Sequence, residues 1–297
     1  MKFAKPALDL PALLAKLQAG GLQVPDLALA LCHLRFIGYY RLAAYALHFR
    51  QAGVPGKPFL TGTTFEDVLG LYTFDRELRL LVIDAIERIE VAVRGSLVNV
   101  MSVRYNDPHW FMDCLRFDAK YNYIGQLLAK VERDIGISKE QFILHYKAKY
   151  TEPRLPPAWM MVENLTLGSL SHLFAGLHNA DRKAIAAPFG CDEHLLRSWL
   201  HSMTYLRNLC AHHGRLWNRT FSIKPLIAKK HSAFLSPTQA DRFYALAVVL
   251  FELVQVVSPG TGWHRRLKAL LAAHPAVPLS TLGFPTNWAQ EPFWNPV

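Results

Sequence analysis

Residues 65–104 read FEDVLGLYTFDRELRLLVIDAIERIEVAVRGSLVNVMSVR and contain no proline and only two glycines, Gly70 and Gly95. Apolar residues recur along this stretch every three or four positions, which is the period of one face of an α-helix. Thr64 can cap its N-terminus, and Asp67 three residues later adds an acidic first turn. The stretch therefore predicts one very long helix or two helices joined near Gly95.

The rest of the chain repeats the helical period and has few alternating apolar runs, so it lacks the strand–helix order of a doubly wound sheet. A proline- and glycine-rich turn at 53–62 precedes the long helix, and residues 106–108 end it. The sequence predicts an all-α fold, a multi-helix bundle with additional N-terminal helices and an irregular C-terminal tail. Further helices are predicted over residues 28–49, 117–135, 139–150, 159–177, 191–213 and 237–257.

Three regions are expected: an N-terminal helical region (1–62), a helical core (63–257) and a tail (258–297) rich in proline, glycine and tryptophan that wraps the surface. The segment EPRLPP, residues 152–157, is the strongest break inside the core and suggests a boundary between halves. The longest apolar run, residues 244–257, is shorter than the ~20 residues that cross a bilayer. The run also carries Glu252, whose charge argues against a transmembrane helix. A buried core helix is therefore expected there.

The chain is basic, with 33 Lys and Arg against 23 Asp and Glu, a formal charge of +10 and a pI near 9.5. This excess indicates an anionic partner, with nucleic acid the leading candidate. The N-terminus lacks the apolar segment and cleavage site of a secretory signal. Four widely spaced cysteines fit reduced thiols. A cytosolic protein that does not enter a membrane is expected.

RNA cleavage can use an arginine followed four to six residues later by a histidine. The imidazole deprotonates a ribose 2′-hydroxyl, and the guanidinium holds the phosphate. With 13 histidines in 297 residues, such pairs arise often by chance, so the spacing alone decides nothing. Between Arg104 and His109, Pro108 interrupts the helical geometry, and that pair is taken as coincidental.

A second pair, Arg41 and His48, is seven residues apart and nearly eclipsed on the predicted helix 28–49. Several aromatic residues surround it, including Tyr40. Basic and aromatic side chains together can hold phosphates and stack on bases, so Arg41 and Tyr40 are candidate RNA contacts. The alternative is an amphipathic helix running from core to surface.

The third pair lies in LRNLCAHHGRLWNR, residues 206–219. Arg207, Asn208 and His212 project at about 0°, 100° and 140° around a helix, so Asn208 and His212 share a face and Asn208 lies between the other two. The residues therefore form one polar patch. His213 is a neighbouring imidazole that could substitute for His212.

Gly214 can end this helix and place both histidines in its last turn. The alternative to an RNA site is a helix terminus whose histidines interact with the macrodipole and whose arginine forms ion pairs. The residues themselves leave both interpretations open. On the following loop, the candidate RNA-binding residues are Arg215, Trp217, Asn218 and Arg219.

A polar stripe on the long helix contains Glu87, Glu90 and Arg94, at spacings of three, four and seven residues. One interpretation is a surface or interhelical ion-pair network. The other is that these residues support the site by orienting Arg207 or His212, since a carboxylate can fix the tautomer of an imidazole.

Several classes of site are excluded by missing motifs. The cysteines and histidines between 191 and 213 include no CxxC pair and no HExxH helix, so no metal site is expected. There is no GxxxxGK[ST] or GxGxxG phosphate loop and no GxSxG elbow. The sequence therefore predicts no cofactor.

Residues 206–219 resemble the signature of the Abi-like abortive-infection family of the AbiD/AbiF type, whose C-terminal region resembles the HEPN ribonucleases. The resemblance covers roughly residues 10–230, and its short motifs occur in the family's order. Besides Trp199, the matching blocks are residues 36–42, 64–66, 71–76, 86–94, 159–163 and 167–170.

The resemblance implies a HEPN-like helical bundle that forms a homodimer, brings two motifs together and cleaves RNA without a metal, in phage defence or a toxin–antitoxin system. It implies a catalytic motif of Arg207, Asn208 and His212, with His213 as a substitute. A small RNA antitoxin is an implied partner. The alternatives are a noncatalytic RNA-binding sensor and a helical interaction protein without an RNA role.

Overall fold

The computed structural model describes residues 2, 4 and 6–296, which form α-helices, short 3-10 turns and isolated β-bridges but no strand. The predicted all-α fold is confirmed. The α-helices of the described chain are α1 (Leu10–Ala19), α2 (Leu27–Phe36), α3 (Tyr39–Ala46), α4 (Phe65–Tyr105), α5 (Ile124–Ile137), α6 (Gln141–Lys149), α7 (Ala158–Met161), α8 (Leu167–Gly176), α9 (Asn179–Ala186), α10 (Glu193–Ala211), α11 (Phe243–Val257) and α12 (Trp263–Ala273).

The described chain divides into two compact units. Unit 1 contains the chain up to Leu78 together with Leu270–Val277, and unit 2 contains Arg79–Ala269 together with the chain from Pro278 onward. The predicted regions follow helix ends, whereas the units divide inside α4 and α12. The break at residues 152–157 lies within unit 2.

Helix α4 is one unbroken helix of 41 residues, about 60 Å long at 1.5 Å per residue. Its start is a reciprocal cap: the backbone N–H of Asp67 donates to Thr64 Oγ1 at 3.2 Å, and that of Thr64 donates to Asp67 Oδ2 at 2.8 Å. It continues through Gly95 and ends where Asn106 adopts φ 47°. Of the two alternatives left open by the sequence, one very long helix or two helices joined near Gly95, the structure has the single helix.

An apolar stripe runs the length of α4 at spacings of three or four residues, which gives the helix one face to bury. Charged residues occupy other faces of the helix. The stripe is formed by Phe74, Leu78, Val82, Ala85, Ile89, Val93, Leu97 and Met101.

No helix in the described part of the chain is both long enough and apolar enough to cross a membrane.

The predicted helix over residues 28–49 is broken in two by Gly38. Helix α2 ends at Phe36 and α3 begins at Tyr39, with Gly38 between them at φ 91°. A left-handed angle is costly for a residue with a Cβ atom and is readily adopted by glycine. Because α3 ends at Ala46 and His48 lies in a 3-10 turn, Arg41 and His48 do not share one helix as predicted.

Helix α11 is the core helix of unit 2, as the apolar run predicted. All residues from Phe243 to Val254 are buried, including Glu252. The Glu252 carboxylate contacts His231 Nε2, and Lys230 Nζ lies 2.5 Å from its Oε1. A buried charge requires such partners because desolvation otherwise disfavours it.

The C-terminal segment differs from the irregular surface tail that was predicted. It contains the 11-residue helix α12, and it buries Trp263, Trp288 and Trp294. Trp263 Nε1 donates to the carbonyl oxygen of Leu81 at 2.9 Å. Its tryptophans therefore belong to the core. The sequence did not predict this burial because prolines and glycines are frequent in the segment.

Candidate active site at the end of helix α10

Helix α10 carries the predicted catalytic motif in its last turns, inside unit 2. Its N-terminus is capped by Asp192, whose carboxylate accepts from the backbone N–H of Leu195 at 2.8 Å. In the last two turns Leu206 and Cys210 are buried, whereas Asn208 is exposed. The apolar side of the helix thus anchors it, and the opposite side presents the polar residues of the motif to solvent.

The helix ends in a Schellman motif. The N–H of His213 donates to the Cys210 carbonyl at 3.0 Å, and that of Gly214 donates to the Leu209 carbonyl at 2.7 Å. His212 is the C-cap residue, and His213 holds the left-handed position, φ 56°, that glycine usually takes. Both histidines are exposed and follow the last helical residue rather than lying inside the last turn as predicted.

Replacing His213 with glycine is expected to raise the free energy of unfolding by about 0.5–1 kcal/mol. Relief of left-handed strain contributes roughly 1–2 kcal/mol, and glycine's greater freedom in the unfolded chain offsets part of it. Urea denaturation measures the change. Asn218 is also left-handed, φ 49°, and since asparagine tolerates this region better, Asn218→Gly should gain less. A His213→Gly variant less stable than the wild type would contradict the strain argument.

Arg207 and Asn208 interact directly. Arg207 Nη1 donates to Asn208 Oδ1 at 3.1 Å, and the guanidinium is only partly exposed. Asn208 lies in the last turn of α10, and His212, four residues later, is the C-cap residue, so the two positions fall on the same side of the helix end. The amide of Asn208 thus lies beside the guanidinium of Arg207, and Asn208 and His212 are both exposed.

Arg79 is a contributor that the sequence interpretation missed. It is 5% exposed on α4, and its Nη1 donates to the Gly214 carbonyl at 3.4 Å. A cation just beyond the C-terminus of α10 is favourably placed with respect to the helix dipole. The one sequence feature that could have indicated this residue is its position directly after Leu78 of the apolar stripe, where a basic side chain lies next to the buried face. Arg79 positions the loop that follows the histidines.

The flank after Gly214 only partly fits the predicted RNA contact. Trp217, predicted as an RNA-binding residue of this loop, is 1% exposed, so its indole is a core residue and is not presented to RNA. The Arg215 guanidinium lies 5.9 Å from the centre of that ring. Arg219 Nε donates to the Arg215 carbonyl at 2.6 Å, and Asn218 is exposed. The surface of this loop is therefore basic and polar without the indole.

The other predicted RNA contacts, Tyr40 and Arg41, belong to unit 1. Tyr40 is 92% exposed and Arg41 partly exposed, both on α3. Arg104, from the discarded pair, contacts Asp181 at 3.2 Å in unit 2. That contact gives Arg104 a structural role and agrees with the interpretation of its spacing to a histidine as coincidence.

The polar stripe of α4 is an ion-pair network. Arg94 Nη2 lies 2.5 Å from Glu90 Oε1 and donates to the Leu165 carbonyl at 2.8 Å, while Nη1 lies 3.2 Å from Glu163. Glu87 is exposed. These contacts tie α4 to the turn at residues 162–165. They favour the structural interpretation of Glu90 and Arg94 over a role in orienting the predicted catalytic motif.

Among the described residues, no group of three or more His, Cys, Asp or Glu side chains is placed to hold a metal ion.

Fold and site together define an all-helical protein that exposes an Arg-Asn-His motif at the end of a helix. The family model of the Abi-like proteins matches residues 32–218, more than half of the chain, and the protein belongs to this family. The matched segment ends at Asn218, so it contains Arg207, Asn208, His212 and His213. Membership links the protein to abortive infection, a form of phage defence. No curated protein and no solved structure gives a significant match.

Proposed function

We propose that this protein is a metal-independent endoribonuclease of the HEPN type that acts in the cytoplasm in phage defence or a toxin–antitoxin system. The observation that carries the proposal is the exposure of Asn208 and of the C-cap residue His212 at the end of α10, with Arg207 hydrogen-bonded to Asn208. The formal charge of +10 supports a polyanionic substrate.

In the proposed reaction, His212 removes the proton of a ribose 2′-hydroxyl, and the 2′ oxygen attacks the adjacent phosphorus. The bond from phosphorus to the 5′ oxygen breaks, and this oxygen takes up a proton. Arg207 stabilises the charge on the pentacoordinate phosphorane because a guanidinium stays cationic and can contact two oxygens. The products are a 2′,3′-cyclic phosphate and a free 5′-hydroxyl.

Asn208 is the proposed positioning residue for Arg207. Its Oδ1 accepts from Arg207 Nη1, which restricts the rotamers of a flexible side chain before substrate arrives. The guanidinium has further N–H groups for the phosphate. The amide therefore acts on the arginine rather than on the imidazole.

A homodimer is part of the proposal. The resemblance to the HEPN ribonucleases supports an arrangement in which two motifs meet, so that a second imidazole can protonate the leaving 5′ oxygen. A small RNA that neutralises the enzyme would bind the same basic surface, where Arg215 and Arg219 flank the motif.

The test is to sequence RNA ends after brief expression of wild type, Arg207→Ala and Arg133→Ala. Arg133 is an exposed arginine of α5 and serves as the matched control. Wild type and Arg133→Ala should generate new 5′-hydroxyl ends, and Arg207→Ala should not. The purified enzyme should stay active in EDTA.

Products with 5′-phosphates, or cleavage lost in EDTA, would contradict the mechanism. RNA binding without cleavage by the purified wild type would instead indicate a sensor.

A further inference from the structure

A cavity of about 380 Å³ lies between α8, α10 and the turn at residues 118–123, in unit 2 and apart from the catalytic motif. This volume is within the range of small-molecule sites, roughly 300–1,000 Å³. Its polar lining comprises Tyr121, His172, His194, Arg197 and His201, with serine hydroxyls beside them.

One wall of the cavity is held in place by close packing. The Tyr121 hydroxyl lies 2.6 Å from His172 Nδ1. The Tyr121 ring packs against Gly176, where a Cβ atom would lie only 3.0 Å from a ring carbon. When the Tyr121 hydroxyl donates to Nδ1, a neutral His172 carries its own proton on Nε2 and can donate to a ligand.

The ionisation of these two groups favours that arrangement. Burial lowers the pKa of His172, and nearby His201 lowers it further. Burial raises the pKa of Tyr121, which keeps the phenol protonated. Near neutral pH the pair is a phenol and an imidazole that both carry hydrogen-bonding protons.

The electrostatic character of the cavity is cationic. No Asp or Glu lines it within the described chain. Glu193 lies 3.1 Å from His194 of the lining, and Arg182 already pairs with Glu193 at 2.9 Å. Arg197 is exposed on α10 and supplies a permanent positive charge. An anionic ligand is therefore favoured.

The rest of the lining consists of apolar side chains and of the planar rings of Tyr121 and His172. Ala175 and Leu226 line it beside the rings of Tyr121 and His172. The Leu226 backbone is fixed to α10, because its N–H donates to Ser198 Oγ at 2.8 Å and its carbonyl accepts from Trp199 Nε1 at 2.8 Å. Such a surface suits a planar ring, since bases stack on aromatic side chains.

We propose that this cavity binds a nucleotide, with its phosphate on Arg197 and His201 and its base against Tyr121, Ala175 and Leu226. A phosphorylated nucleotide combines the anionic group and the flat ring that the two parts of the lining require. The proposal does not depend on RNA cleavage.

The nucleotide can be free or part of an RNA strand. His201 and Asn208 are seven residues apart on α10, which corresponds to about 10 Å along the axis and about 20° around it. The cavity and the catalytic motif thus follow the same face of one helix. An RNA strand that reaches the motif would pass the cavity.

Calorimetric titration of the full-length protein with adenosine monophosphate tests the proposal. Wild type and Arg133→Ala should bind it, and Arg197→Ala should bind at least ~10-fold more weakly, the effect of losing one charge-assisted hydrogen bond. Adenosine, which lacks the phosphate, should also bind at least ~10-fold more weakly. Arg207→Ala should bind as the wild type does, which separates this site from the catalytic motif.

A 2′-O-methyl RNA hexamer, which cannot undergo 2′-hydroxyl attack, distinguishes a free nucleotide from a nucleotide within an RNA strand as the ligand of the cavity. If the hexamer competes with adenosine monophosphate for binding, the cavity binds a nucleotide of an RNA strand. If adenosine monophosphate binds and the hexamer does not compete, the cavity binds a free nucleotide. Both results support a nucleotide site. No binding to the folded wild type, or equal binding by wild type and Arg197→Ala, would overturn it.

Discussion

Replacing His212 with alanine is expected to lower the rate of RNA cleavage at least ~100-fold, the lower range for loss of a general acid or base. His212 continues the helical face of Asn208 because its backbone, φ −89° and ψ 15°, stays close to the end of α10. The backbone of His213 is left-handed, φ 56°, so His213 does not continue that helical face. His213→Gly should therefore stay within ~10-fold of the wild-type rate, less than the loss expected for a general base.

The cleavage rate of purified protein on total cellular RNA measures both effects. His145, an exposed histidine on α6, provides the control variant His145→Ala, which should cleave at the wild-type rate. Circular dichroism establishes that the variants are folded. If His213→Gly abolishes cleavage and His212→Ala retains it, the assignment of the two imidazoles is reversed; full activity in both would reject the mechanism.

Replacing Glu252 with alanine is expected to destabilise the protein by about 1–3 kcal/mol, the cost of leaving a buried hydrogen-bonding partner, here His231, unsatisfied. His231 is buried and contacts the carboxylate, and Lys230 lies 2.5 Å from it. Without the carboxylate, the polar groups of both partners lose their acceptor. Chemical denaturation measures the effect. Gln255→Ala, at an exposed position of α11, should change stability by less than about 0.5 kcal/mol.

The same carboxylate has a defined pH signature. Burial by itself would raise the pKa of Glu252, but hydrogen bonds from His231 and Lys230 hold it below the ordinary value of 4.5. The stability it contributes is present above pH 4.5 and is lost as the pH falls through the lowered folded-state pKa. Glu252→Gln should lose less stability than the wild type over this acidic window. An unchanged pH dependence would contradict this assignment.

Local patterns predicted the helices well. The Thr64 cap, the unbroken α4 and the buried α11 each depend on spacing within a few turns, which a sequence shows directly. The break at Gly38 was missed because the helical period continues on both sides of it, and only the backbone angle reveals the interruption. Helix α12 was missed because neighbouring prolines and glycines obscured its apolar spacing.

The candidate site was predictable only in part. Helical periodicity predicted a shared face for Asn208 and His212, and the structure exposes both residues at the end of α10. The burial of Trp217 depends on tertiary packing, and the contact of Arg79 with Gly214 joins positions 135 residues apart. Neither follows from a short motif, because an indole between two basic residues has the same sequence whether it faces solvent or the core.

Unit 1 is built from two segments that lie far apart in the sequence, and this affects when it can fold during synthesis on the ribosome. Nascent chains fold from the N-terminus as they emerge, one domain at a time. Here the piece Leu270–Val277 that completes unit 1 is translated about 190 residues after Leu78, and later than the whole motif at residues 206–219. A chain that stops at residue 257, where the predicted core ends, already contains the motif but lacks parts of both units. Translation thus delivers the proposed catalytic residues before either unit is complete.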